Sequence, residues 1–156
     1  MPSEEDATIG IQYIDYGNTE SVTTASLAAM PESVSAIELS AQSVLMKLAL
    51  IDGPSADYME EGTELLSNGI LNQIFSANVE YQAYEATAVN LVDEESGDDI
   101  AMTMLSMGYA SVNAKRKERG ALGELQAQYK QVEADAKSGR QGMWMYGDNT
   151  EDPKDF

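Results

Sequence analysis

The order of apolar segments constrains the fold of this chain more than any other feature of its sequence. A strongly apolar run over residues 43–52 predicts a buried strand, and Gly53-Pro54 predicts its end. Apolar residues spaced by threes and fours predict a helix over residues 56–75 and a long helix over residues 120–138. Between them the sequence predicts, in order, strands over 78–83 and 86–92, a short helix capped by Asp99 and ended by Gly108, and a strand over 109–112. This order predicts an α+β protein, with a small Greek-key barrel of the OB type flanked by helices.

The composition excludes several classes of catalytic and metal site. The chain has no cysteine and no histidine, which excludes disulfides, thiolate or imidazole metal sites, and Ser–His–Asp or Cys–His catalysis. Its 27 acidic and 9 basic residues give a net charge of −18. Such a charge repels phosphate and attracts basic partners, so we do not expect tight nucleic-acid binding by this chain alone. No apolar run approaches the ~20 residues of a membrane helix, and we expect no membrane partner.

Residues 8–30 are predicted to form a hairpin and little more. Ile9, Ile11 and Tyr13 alternate along one face, and a turn is predicted at Gly17-Asn18. This turn would bring the rings of Tyr13 and Tyr16 near Asn18. Aromatic faces attract a weakly hydrated cation by ~0.5 to ~2 kcal/mol per contact, and an amide can hydrogen-bond a guanidinium N–H. The three side chains therefore suit a methylated arginine or lysine, although tyrosine and Gly-Asn are also ordinary residues of strands and turns.

The same stretch resembles a strand and turn of a Tudor domain. Residues 13–18 match the pattern aromatic-Ile-Asp-Tyr-Gly-Asn, and Glu20, Val22, Leu27 and Met30-Pro31 continue it. A complete Tudor barrel needs further strands that the short, polar sequence before Thr8 cannot supply. We therefore expect residues 8–30 to form an incomplete Tudor barrel, after a disordered lead-in over residues 1–7.

Two motifs resemble a staphylococcal-nuclease-type domain, which is an OB-fold barrel with helices. Residues 48–54, Leu-Ala-Leu-Ile-Asp-Gly-Pro, resemble the strand and turn Leu-Leu-Leu-Val-Asp-Thr-Pro of that family. Residues 134–148 resemble its closing pattern of an alanine-rich helix, a tryptophan and Tyr-Gly-Asp. We assign this domain to residues 43–147, after a connector over 31–42 and before an acidic tail over 148–156. A Tudor hairpin followed by such a domain is similar to the C-terminal part of the Tudor staphylococcal nuclease family, whose last nuclease-like domain is split by an inserted Tudor domain.

The resemblance implies a function in binding. It implies a multidomain protein of the cytoplasm and nucleus that acts in RNA processing, RNA-interference complexes, splicing and transcriptional coactivation. It also implies that Tyr13, Tyr16 and Asn18 bind symmetrically dimethylated arginine in partner proteins. We therefore expect a non-catalytic binding or scaffold module, with RNA bound through the rest of such a protein. The alternative is a fragment of a Ca²⁺-dependent ribonuclease whose active sites lie in other domains.

The catalytic positions of the nuclease family are largely lost. Active members use Ca²⁺ held by carboxylates, a glutamate that handles the attacking water, and two arginines that stabilise the developing charge. Asp52 matches one metal carboxylate, Ser55 replaces the glutamate, and Lys47 replaces the first arginine without its bidentate fork. No arginine lies near residues 84–88, where the second is expected. We therefore predict no catalysis, no metal and no cofactor for this chain.

A local basic cluster precedes the last helix and consists of Lys115, Arg116, Lys117 and Arg119. These residues could contact RNA phosphates beside neighbouring domains, but an exposed segment leading into a helix is the more ordinary explanation. Trp144 and Tyr146 could stack a base, yet an aromatic residue after a helix more often packs that helix against the barrel.

Overall fold

The computed structural model describes residues 7–34, 40–84 and 86–147. Most of the predicted lead-in, the centre of the predicted connector and the predicted acidic tail lie outside these residues. The chain divides into two compact units, with the division between Leu45 and Met46. The domain boundaries given above remain predictions.

The first unit contains the predicted hairpin. Strands β1 (Thr8–Gln12) and β2 (Thr19–Thr23) pair antiparallel, with Ile9 opposite Val22 and Ile11 opposite Glu20. One position further, the N–H of Tyr13 donates to the carbonyl of Asn18 at 2.9 Å, so this pair closes the ladder. Short 3₁₀ turns follow at Thr24–Ser26 and Glu32–Val34.

The turn of this hairpin lies earlier than predicted. The chain reverses over residues 14–16, and the N–H of Gly17 donates to the carbonyl of Tyr13 at 2.6 Å. Gly17 has a φ of 79°, a conformation that favours glycine. A Cβ at Gly17 would lie 3.0 Å from the Oγ of Ser43, whose hydroxyl donates to the carbonyl of Ile14 at 3.1 Å. The turn is therefore longer than a two-residue turn. Backbone hydrogen bonds at its base and the hydroxyl of Ser43 hold it in place.

The second unit combines short strands with three helices. Its strands are β3 (Met46–Leu48), β4 (Ile51–Asp52), β5 (Phe75–Gln82), β6 (Thr87–Asp93) and β7 (Ser111–Val112). Its helices are α1 (Met59–Ile70), α2 (Ile100–Ser106) and α3 (Gly120–Ser138). Strand β6 is central and pairs antiparallel with β5 and parallel with β3, while β4 pairs antiparallel with β7.

The predicted continuous buried strand over residues 43–52 is wrong. Val44 and Leu45 are largely exposed, and the strand is broken at Ala49 and Leu50, which are fully buried. Leu50 has a φ of 65°, in the left-handed region that a strand cannot use. The apolar run therefore marks two short strands joined by a buried bend.

The predicted helix over residues 56–75 is also shorter in the structure. A 3₁₀ turn, Ala56–Tyr58, precedes α1, and Leu71 adopts an extended conformation with a ψ of 129°. Asn72 then has a φ of 60°, which turns the chain so that Phe75 begins β5.

The other two helices follow the sequence pattern closely. Helix α3 has the predicted bounds, and Asp99 caps α2 by accepting from the N–H groups of Ala101 and Met102. Tyr129 of α3 is fully buried, and its hydroxyl donates to the other oxygen of Asp99 at 2.7 Å. This contact joins α3 to the start of α2. Among the described residues, no helix has both the length and the apolar character needed to cross a membrane.

Candidate functional site

The loop between β1 and β2 presents the three residues predicted to bind a cation. Tyr16 is 85% exposed and Tyr13 is 40% exposed. Asn18 is also exposed, and its backbone pairs with that of Tyr13 at the base of the loop. Over residues 7–34 and 40–45, neither the Tyr16 hydroxyl nor the Asn18 amide has an intramolecular hydrogen bond, so both are available to a ligand.

Glu20 is a further member of this loop site, although the sequence predicted it only as part of the Tudor pattern and not as a binding residue. The hydroxyl of Tyr13 donates to Glu20 Oε2 at 2.9 Å. This hydrogen bond raises the pKa of the Tyr13 phenol, and the negative charge of Glu20 raises it further. The alternation of residues along the two strands could have identified Glu20. Glu20 lies on the same face of the hairpin as Tyr13, as its diagonal neighbour on the opposite strand. The contact fixes the phenol end of Tyr13 and places a carboxylate beside its ring.

The remnants of the nuclease site are only partly brought together. Lys47 on β3 and Asp52 on β4 line the same pocket of about 400 Å³, whereas Ser55 lies beyond it, before the 3₁₀ turn. Asp52 accepts a hydrogen bond of 3.0 Å from the amide of Asn113, so its carboxylate is engaged within the protein. Over residues 7–34, 40–84 and 86–147, no three acidic side chains are grouped so that they could hold a metal ion.

The basic cluster divides into one structural residue and three exposed ones. The guanidinium carbon of Arg116 lies 3.6 Å from the centroid of the Tyr81 ring, and its Nη2 lies 2.6 Å from Glu118 Oε1. The carbonyl of Arg116 accepts from the buried amide of Gln126 at 2.8 Å. Arg116 therefore packs on Tyr81 within the second unit, whereas Lys115, Lys117 and Arg119 are exposed.

The two aromatic residues after α3 also differ. Trp144 is 2% exposed, and the Nζ of Lys137 lies 4.5 Å from its ring centroid. Tyr146 is 82% exposed. Trp144 therefore packs in the core of the second unit and cannot stack a base without unfolding this end of the chain.

Comparisons with known proteins define the family. The family model described as staphylococcal nuclease homologue matches residues 30–146, and the chain belongs to this family. Staphylococcal nuclease domain-containing protein 1 of Drosophila melanogaster is 30% identical over 143 residues, which are 91% of this chain and 15% of that protein. The chain thus spans a small part of this relative.

Solved structures of extended Tudor domains are also similar to this chain. The extended Tudor domain of Drosophila melanogaster Tudor-SN matches with a TM-score of 0.78 and 27% identity, over 88% of this chain and 63% of that chain. Mouse TDRD1 extended Tudor domain TD3, solved with a MILI peptide containing dimethylarginine, matches with a TM-score of 0.60 and 22% identity, over 73% and 58% of the chains. Human TDRD1 extended Tudor domain, solved with a symmetrically dimethylated peptide, matches with a TM-score of 0.60 and 23% identity, over 72% and 55%.

These matches confirm two predictions. The fold class is the α+β, OB-like fold of staphylococcal nuclease relatives, and the resemblance to the Tudor staphylococcal nuclease family holds. At 22% and 23% identity the TDRD1 matches establish the fold only.

Proposed function

We propose that this chain is a non-catalytic binding module that recognises symmetrically dimethylated arginine through Tyr13, Tyr16 and Asn18. The observation that carries the proposal is the 85% exposure of the Tyr16 ring on a loop whose other tyrosine is held by Glu20. A large aromatic side chain left in water on a fastened loop is a typical recognition element.

The physical argument concerns the hydration of the ligand. Methylation removes N–H donors from a guanidinium but keeps its charge, so the cation loses less hydration when it enters an aromatic site. Each aromatic contact with such a cation contributes ~0.5 to ~2 kcal/mol. The Asn18 amide can accept a remaining guanidinium N–H, and the carboxylates of Asp15 and Glu20 favour positive charge. The dimethylarginine peptide of the mouse TDRD1 complex and the symmetrically dimethylated peptide of the human TDRD1 complex support the same ligand class.

The remnants of the nuclease site support the absence of catalysis. Lys47 offers a point charge where a bidentate fork is needed, and Asp52 is already bound by Asn113. The family match keeps the second candidate open, in which the chain is a fragment of a Ca²⁺-dependent ribonuclease with active sites in other domains. Under either candidate, RNA processing, RNA interference and a location in cytoplasm and nucleus remain predictions.

Calorimetric titration tests the proposal. The chain is titrated with one arginine-containing peptide in its symmetrically dimethylated and unmodified forms. We expect tighter binding of the dimethylated form, and a ~2- to ~30-fold loss on Tyr16→Ala, the range that one aromatic contact supplies. Tyr146→Ala is the matched control, since it removes another highly exposed tyrosine. Equal affinity for the two peptides, or unchanged affinity of the Tyr16→Ala chain, would rule out this recognition role.

A further inference from the structure

The second unit contains an apolar pocket that the loop site does not use. Its volume is about 400 Å³, within the range of small-ligand sites. Leu48, Ile51, Leu66 and Met104 contribute to its walls. Met59 also lines it and is 49% exposed, so the pocket is reached from solvent.

One face of α1 forms a fixed wall of this pocket. The lining residues Met59, Gly62, Thr63 and Leu66 follow helical spacing and therefore share one side of the helix. A Cβ at Gly62 would lie 2.7 Å from Cγ of Pro54, so the helix packs directly on the loop after β4. This close packing makes the pocket a preformed feature of the fold.

The charges around the pocket are mostly negative. Glu60 and Glu64, one turn apart on the same helix, lie on the Thr63 side of the lining face, are exposed, and have no ion pair within the ranges described. Asp52 lines the pocket, and Lys47 is the single cation among its lining residues. An apolar interior beside unpaired carboxylates complements an apolar side chain that is flanked by cations.

We propose that this pocket binds an apolar side chain of an arginine- or lysine-rich segment of a partner protein. The apolar side chain enters between α1 and the strands, and the neighbouring cationic side chains pair with Glu60 and Glu64. The inference does not depend on the proposed methylarginine function, because its ligand needs no methylated arginine and the pocket is not lined by Tyr13, Tyr16 or Asn18.

Three probes test the assignment on the whole chain. The pentapeptide Arg-Arg-Phe-Arg-Arg is expected to bind at least ~10-fold more tightly than Arg-Arg-Ala-Arg-Arg, because only the first buries a large apolar side chain. Octanoate, an apolar anion, is expected not to bind saturably. Amide NMR shifts should change at Gly62 and Thr63 with the phenylalanine peptide.

Two variants locate the site. Thr63→Trp places a bulky ring in the pocket from an exposed position and should remove the preference for the phenylalanine peptide. Gln128→Trp is the control, an equally bulky change at an exposed position of α3, and should keep it. The double variant Glu60→Gln/Glu64→Gln, which leaves the pocket intact, should weaken both pentapeptides ~3-fold or more and reduce their salt dependence.

Several outcomes would overturn the proposal. Equal affinity for the two pentapeptides would mean that only their charges contribute to binding and that no apolar side chain enters the pocket. Saturable octanoate binding that is lost on Lys47→Met would assign the pocket to an apolar anion instead. Tyr16→Ala should leave pentapeptide binding unchanged, so failure here and failure of the methylarginine function are separate results.

Discussion

The backbone N–H of Leu50 donates a hydrogen bond of 3.0 Å to the hydroxyl of Tyr81. Leu50 is fully buried with a φ of 65°, a conformation that costs a residue with a side chain about 1 kcal/mol or more. Its carbonyl accepts from the N–H of Asn113 at 2.8 Å. The bend between β3 and β4 is thus held by two residues that are distant in sequence, and one of them, Tyr81, also carries Arg116 on its ring.

Removing the Tyr81 hydroxyl tests this bend. Tyr81→Phe leaves the buried N–H of Leu50 without a partner, and we expect the free energy of unfolding to fall by about 1 to 3 kcal/mol. Urea denaturation followed by circular dichroism measures the change. Tyr109→Phe is the control, because the Tyr109 hydroxyl has no hydrogen bond to the residues that the structure describes. Equal effects of the two substitutions would contradict the role given to Tyr81.

The bend at Leu50 is a feature of the fold that could not be predicted from the sequence. The pattern over residues 43–52 is apolar throughout and favours a strand, because nothing local signals a left-handed leucine. The conformation of Leu50 depends on Tyr81 and Asn113, whose positions follow only from the folded sheet. Helix α3 and the cap of α2 were predictable, because helical spacing and an aspartate before an apolar segment are local signals.

The candidate site divides in the same way. The loop at residues 13–18 was predictable from its aromatic and turn residues, whereas the partnership of Tyr13 and Glu20 needed the strand register. The stacking of Arg116 on Tyr81 had no local signal, since the sequence shows only a run of basic residues. Residue type alone therefore does not tell which charged side chains are held by the fold and which are free to bind a partner. Contacts between segments that are distant in sequence decide this.

The hydrogen bond from Tyr129 to Asp99 predicts a loss of stability in alkaline solution. Burial raises the pKa of the Tyr129 phenol well above its ordinary value of 10.0, and the hydrogen bond and charge of Asp99 raise it further. As the pH rises through about 10, the unfolded chain loses this proton while the folded chain keeps it. The folded state then binds more protons, so its stability falls as the pH rises.

Tyr129→Phe isolates this effect. At pH 7 to 8 the substitution should lower the free energy of unfolding by about 1.5 to 3 kcal/mol, the value of a hydrogen bond to a charged group. Above pH 10 the natural chain should lose about 1.4 kcal/mol per pH unit relative to the variant. Urea denaturation at pH 8, 10 and 11 gives the two curves. Parallel curves for the two proteins would show that Tyr129 does not titrate differently on folding.

Two glycines are predicted to be required for the end of α3 to pack. Gly108 has a φ of 74°, and a Cβ there would overlap the carbonyl oxygen of Gln141. Gly142 has a φ of 49°, and its Cβ would lie 2.5 Å from the carbonyl oxygen of Gly108. The N–H of Met143 donates to that same oxygen at 3.0 Å, so the two backbones pair directly.

Alanine at either position should therefore be costly. We expect Gly108→Ala and Gly142→Ala each to lower the free energy of unfolding by about 2 kcal/mol or more beyond the cost of the positive φ alone. Gly97→Ala measures that cost alone, since Gly97 has a φ of 78° and open space around its Cβ position. Trp144 fluorescence during urea denaturation reports on this region. A loss no larger than that of Gly97→Ala would mean that the two segments separate easily.

The contact between Tyr13 and Glu20 makes a prediction about charge at the loop site. Glu20→Gln removes the negative charge and weakens the acceptor, so the pKa of Tyr13 should fall towards its ordinary value of 10.0. NMR titration of tyrosine labelled at Cζ measures this pKa, and Glu32→Gln is the control, since it removes an exposed carboxylate elsewhere in the same unit.

Under the proposed function, Glu20→Gln should also weaken binding of the dimethylated peptide more than Glu32→Gln does, because the ligand loses a carboxylate beside the ring that receives it. A Tyr13 pKa that stays unchanged in Glu20→Gln would show that the hydrogen bond does not persist in solution, and the orientation of the ring would then need another cause.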